Sequence, residues 1–112
     1  MNSSAAEVKA VRGQRVVVTE DSLTVDLDDG RSIILPLAWF PRLVHARHEE
    51  RENWQITGAG EGIHWPDLDE DISVEHLILG WGSRESQASF QRWLGARAKL
   101  KGESSSGPGP LA

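Results

Sequence analysis

Leu23, Val25 and Leu27 alternate with Thr24, Asp26 and Asp28. An extended chain sends successive side chains to opposite faces, so this period of two predicts a strand with one apolar face inward and one polar face wet. Asp29-Gly30 follows directly, and glycine supplies the positive φ that a tight reversal needs. Ser32-Ile33-Ile34-Leu35 then resumes an apolar, β-branched run, so the two segments should close as a hairpin. Upstream, Val16-Val17-Val18-Thr19 is a further β-branched run, broken by the turn-forming Glu20-Asp21-Ser22. A three-stranded antiparallel meander is expected at the head of the fold.

Helical and strand signals are mixed after it. Pro36 and Pro41 bracket Leu37-Ala38-Trp39-Phe40, and Pro41 suits the first position of a helix through Leu43, Val44 and Ala46. The polar stretch from His48 to Trp54 predicts a continued or second short helix whose outer face is solvent. Trp54-Gln55-Ile56-Thr57 and Ile63-His64-Trp65 read as two short strands around the glycine-rich turn at 58–62. Asp67-Leu68-Asp69-Glu70-Asp71-Ile72 reads as an acidic loop, after which Ser73 can N-cap a helix that Gly80 stops. Phe90, Trp93, Leu94 and Arg97 fall near helical spacing within 87–100, giving an amphipathic helix that either docks or waits for a partner.

The fold class expected is therefore α+β, a small antiparallel sheet (the meander plus further short strands) packed with two or three short helices. Its divisions would be an α+β domain over 8–82, a C-terminal amphipathic helix over 83–101, and a disordered Gly/Ser/Pro tail over 102–112, which has nothing to bury.

Charge and composition narrow the function classes. The 112 residues are 38% hydrophobic and 26% charged, with a formal charge of −5, which makes naked nucleic acid a poor default ligand because phosphate binding needs a basic face. No cysteine is present, so there is no thiolate nucleophile or disulfide framework, and a reducing, cytoplasmic setting is the simplest expectation. The start lacks a signal-peptide pattern and no apolar run approaches the roughly 18 residues of a membrane helix, so no membrane role is expected.

Three strings, Asp29-Gly30-Arg31, Pro36-Leu37-Ala38-Trp39-Phe40-Pro41-Arg42-Leu43, and the run from Gly60 to Ser73, together resemble the bacterial domain of unknown function 2442. The likeness extends over about Val8 to Arg97 and takes in Ser86-Gln87 to Trp93-Leu94. It implies a small α+β fold and a single-domain bacterial protein. For some members it implies a gene beside a second small uncharacterised protein, similar to toxin and antitoxin pairs. Some relatives add a helix-turn-helix domain, which this chain lacks, and that speaks against direct operator binding. Where relatives often carry a Thr-Pro pair before the second helix, this chain reads Arg47-His48.

Few residues carry chemistry. His64, Asp67, Asp69 and Asp71 with Glu70 form the one dense cluster of ligand or acid/base types, but their spacing matches no metal motif. The competing reading makes Asp69 and Asp71 acceptors for backbone N–H groups at the helix start, and it is preferred on capping chemistry. His45 and His48 lack a third ligand and read as solvated surface. No Gly-x-Ser-x-Gly elbow or phosphate loop is present. Five tryptophans are many for a core of this size: Trp39 and Trp65 are expected to be buried, and Trp81 and Trp93 are divided between a partner surface and internal packing.

The expectation is a non-catalytic protein-binding module, an antitoxin-like partner of a neighbouring small protein being its narrower form. Asp67, Asp69, Glu70, Asp71, Trp81, Phe90 and Trp93 are its interaction residues, with no catalytic, cofactor or metal residue assigned. The alternative is a small metal-dependent enzyme using His64, Asp67, Asp69 and Asp71.

Overall fold

The alternating run over Ser22–Leu27 forms the central strand of a meander (β2), paired antiparallel with β1 (Gly13–Val18) and β3 (Ser32–Pro36). These elements come from a computed structural model that describes residues 11–104. The register places Val16 opposite Val25 and Leu23 opposite Leu35, so one face carries buried Val16, Leu23, Val25, Leu27 and Leu35. Asp29-Gly30 makes the turn, with Gly30 at φ 94.

A second antiparallel sheet follows in the order β4 (Gln55–Thr57), β5 (Gly62–Trp65), β6 (Glu70–Ser73). The acidic loop expected over 67–72 is thus corrected: only Pro66 to Asp69 form a loop, and Glu70, Asp71 and Ile72 belong to a strand. Asp69 sits at φ 51, a left-handed conformation that aspartate tolerates better than most side chains, and this reversal brings Trp65 opposite Glu70.

Between the sheets run a 3₁₀ turn (Leu37–Trp39), α1 (Pro41–Val44) and α2 (His48–Glu52). The helix expected from Pro41 to Ala46 stops at Val44, and a separate helix begins at His48, where the Glu50 carboxylate accepts the Arg47 N–H at 2.8 Å. Ser73 caps α3 (Val74–Ile78) as expected, accepting from the His76 N–H at 3.3 Å, and Gly80 at φ 81 closes it. Both sheets and these helices share one core that includes Leu37, Phe40, Leu43, Ile63, Trp65, Leu68, Val74 and Leu77. Tying the halves, the Gly13 N–H donates to the Gly60 carbonyl at 2.8 Å and the Trp65 indole N–H to the Arg51 carbonyl at 3.0 Å.

A strap over 79–86 leads into α4 (Gln87–Ser104), capped by Ser86 through the Ser89 N–H. The helix runs past the point at 102 where an unstructured tail was expected to begin, and the rest of that expectation, 105–112, lies outside the described residues. Among the described residues no helix is long and apolar enough to cross a membrane.

Candidate functional site

Arg42, on α1, organises one end of the molecule. Its guanidinium donates to both oxygens of Glu85 at 2.9 and 2.6 Å and to the carbonyls of Leu68 and Asp69 at 2.8 and 3.1 Å. A planar fork of donors suits this task, because one side chain can join the strap, the β5–β6 loop and α1 at once. Glu85 also accepts the Ser89 hydroxyl at 2.6 Å, and Arg42 foremost, against the opposing effect of burial, holds its carboxyl below the usual value.

The C-terminal helix docks onto this construction. Two guanidiniums lie over the Trp93 ring, Arg42 at 5.0 Å and Arg97 at 4.9 Å, and Phe90 stacks on it at 5.8 Å with only 7% of its own surface exposed. Arg97 pairs with both oxygens of Glu50 at 3.1 and 2.7 Å. Burial opposes ionisation of Glu50, but its bonds to Arg97 and to the Arg47 backbone outweigh it and keep the carboxyl below its ordinary range. The expected solvent-facing character of α2 is corrected at this position, since Glu50 is buried.

Between β6 and the strap lies an open cleft of about 420 Å³, lined by Phe40, Arg42, the stretch Asp69 to Ser73, His76, and the segment Trp81 to Glu85. The strap is held down where the Ser83 N–H donates to the Trp39 carbonyl at 2.9 Å, and it passes so near Trp39 that a Cβ on Gly82 would lie 2.9 Å from the Trp39 Cβ. Glu70 is only 9% exposed, and its carboxylate makes no hydrogen bond among the described residues. It stands on the same face of its sheet as Trp65, Ile63 and Ile72, a position that the alternation of β6 turns toward the core. Burial, only partly offset by Arg42 and reinforced by Glu85, Asp71 and Asp69, raises its carboxyl to about 7.

The other sequence candidates are scattered. Asp67 accepts from the Asn53 amide at 3.0 Å, Asp71 pairs across strands with His64 at 2.8 Å, and Asp69 shapes the turn. The helix-capping role expected for Asp69 and Asp71 falls to Ser73 alone. Among the described residues no three His, Asp or Glu side chains converge as a metal site would require. His45 packs against Phe90, whereas His48 pairs with Glu52, so the two histidines do not act together.

Trp65 is fully buried as expected, but Trp39 is 44% exposed, because the chain reverses there in a 3₁₀ turn and commits Leu37 and Phe40 inward instead. Trp81 is 42% and Leu79 55% exposed, with the Trp81 ring 4.8 Å from that of His76 and 5.0 Å from the Arg84 guanidinium. Phe90 and Trp93 face their own domain. The buried carboxylates at 50 and 70 carry no local sequence signal that separates them from neighbouring surface glutamates.

A family model described as Protein of unknown function (DUF2442) matches residues 14–83, which leaves the C-terminal helix outside the match. A crystal structure of a protein of unknown function from Rhodospirillum rubrum is similar, at 26% identity and TM-score 0.58, over 70% of this chain and 94% of that one. The solution structure of an uncharacterised protein from Chromobacterium violaceum shares the fold at 20% identity and TM-score 0.60, over 78% of this chain and 83% of the other. No curated protein matches the chain.

Proposed function

The chain belongs to the DUF2442 family of proteins of unknown function, and we propose that it is a non-catalytic protein-binding module whose docking surface is the cleft between β6 and the strap. The observation that carries this reading is the contrast among the aromatic side chains. Trp65, Phe40 and Phe90 are buried, yet Trp81 in the lining of the charged cleft and Trp39, against which the strap's Gly82 passes, stay half-exposed, and Leu79 is open two residues before Trp81. Exposed aromatic anchors next to a charged hollow are the usual composition of a protein-docking site, and the anchors carry most of its affinity.

Charge indicates the kind of partner. Asp69, Glu70, Asp71 and Glu85 line the cleft against Arg42 and Arg84, and Arg42 is already engaged by Glu85, so a basic segment fits best. An antitoxin-like role beside a neighbouring small protein is the narrower form of this reading, and it draws on the family resemblance.

Affinity purification of the tagged chain from its native host tests the proposal. We expect a stoichiometric companion that is retained by the wild type and lost from a Leu79→Ser, Trp81→Ser double variant with unchanged thermal stability. Absence of any stoichiometric companion, or one indifferent to both substitutions, would defeat it.

A further inference from the structure

Glu70 is largely buried at the cleft, and its carboxylate makes no hydrogen bond among the described residues while its oxygens keep a little contact with solvent. Its neighbours sharpen the imbalance. On its own strand and loop stand Asp71 and Asp69, from α1 comes Arg42, from the strap Arg84 and Glu85, and from α3 His76. Arg42 spends its donors on both oxygens of Glu85 and on two backbone carbonyls, so its charge is largely met there, and Arg84, also in the cleft lining, lies over the Trp81 ring. A carboxylate largely withdrawn from water without a counter-charge is disfavoured in its ionised form, and proteins answer that by pairing or by protonation. An open cleft on its solvent side gives a third route, a cation brought by another molecule.

We propose that Glu70 is the recognition carboxylate for a cationic side chain, an arginine or lysine of the bound protein, inserted into the cleft between β6 and the strap. This inference rests on the reading of that face as a protein-docking surface, and it names the group that the surface takes. The incoming guanidinium or ammonium supplies the missing counter-charge, and Asp69 in the cleft lining adds to the attraction. Binding then releases a proton from those molecules in which Glu70 is protonated. Since the free carboxyl titrates at about 7, the ionised fraction, and with it the affinity for the cation, should rise about tenfold from pH 6 to pH 8.

The test follows the Glu70 Cδ resonance of the full chain by ¹³C NMR while N-acetyl-arginine amide, N-acetyl-lysine amide or, as control, N-acetyl-glutamine amide is added. The expected result is a saturable shift with either cation and a fall in the apparent pKa of Glu70 from about 7, with no response to the control. In the complex with the co-purifying companion, Glu70→Gln should weaken binding at pH 8 by about tenfold or more, while Glu70→Asp keeps part of the affinity. A Glu70 resonance that ignores both cations overturns the inference. So does a dimer of the chain alone that depends on Glu70, because a second copy would then be the occupant. If the companion binds Glu70→Gln as well as wild type, the subsite falls and the docking surface stands. If no companion exists, the docking reading falls and the NMR titration decides the subsite independently.

Discussion

At the scale of single residues, two glutamates with little exposed surface behave in opposite ways, one governed by burial and the other by its pairing. Glu50 meets Arg97 through both oxygens and is held ionised, whereas Glu70 has no such partner and its carboxyl rises to about 7 from an ordinary 4.5. The consequence for stability has a definite sign. Below 4.5 Glu70 is protonated both folded and unfolded, so it contributes no pH dependence there. Between 4.5 and about 7 the folded protein holds a proton that the unfolded chain releases, so stability falls as pH rises and levels off above about 7. Glu70→Gln, neutral and of the same shape, should therefore leave stability unchanged at pH 4 and raise it by up to about 3 kcal/mol at pH 8, measured by urea unfolding at both values. A variant equally stable or less stable at pH 8 would mean that Glu70 is ionised and well paired in the folded chain.

At the scale of elements, the C-terminal helix is the least self-evident part. Its apolar residues are few, so propensity and periodicity alone would leave it marginal. It is held by Phe90 and Trp93 and by the pairs Arg97–Glu50 and Arg42–Glu85, the last continued to Ser89. Glu50 is the keystone because its side chain is only 7% exposed and serves the N-terminus of α2 as well as α4. Replacing it with alanine leaves Arg97 against the domain without its acceptor, a loss of about 3 kcal/mol by analogy with other broken buried pairs. Amide hydrogen exchange of Glu50→Ala should show protection lost first in the 87–99 stretch. Uniform loss across both sheets would show that the helix is integral to the core rather than docked upon it.

At the scale of the whole molecule, the two small sheets are not independent units. Neither three-stranded sheet would bury its apolar face alone, and the buried residues of both, with those of the connecting helices, make a single cluster. Heat or urea should therefore unfold them together, with tryptophan fluorescence, to which buried Trp65 contributes, and far-ultraviolet circular dichroism giving one coincident transition. Two separated transitions would refute the shared core. The same architecture explains why a cleft exists at all, since the strap must cross from α3 on one side to α4 on the other and is pinned at Trp39 and Arg42 on the way.

The residues themselves determined whatever short-range sterics and hydrogen bonding control. The period-two run over 23–27, the reversal at Gly30, the cap at Ser73 and the stop at Gly80 all lie within a few positions of the backbone they shape. The cleft was half legible: Asp69, Glu70, Asp71 and Trp81 stand out as acidic or aromatic, but not which of them would be buried or paired. That outcome belongs to tertiary structure, because Arg42 finds Glu85 across 43 positions and Arg97 finds Glu50 across 47. Burial of Glu50, exposure of Trp39, docking of Trp93 and the strand at Glu70 each depend on groups remote in the chain, which no local pattern encodes.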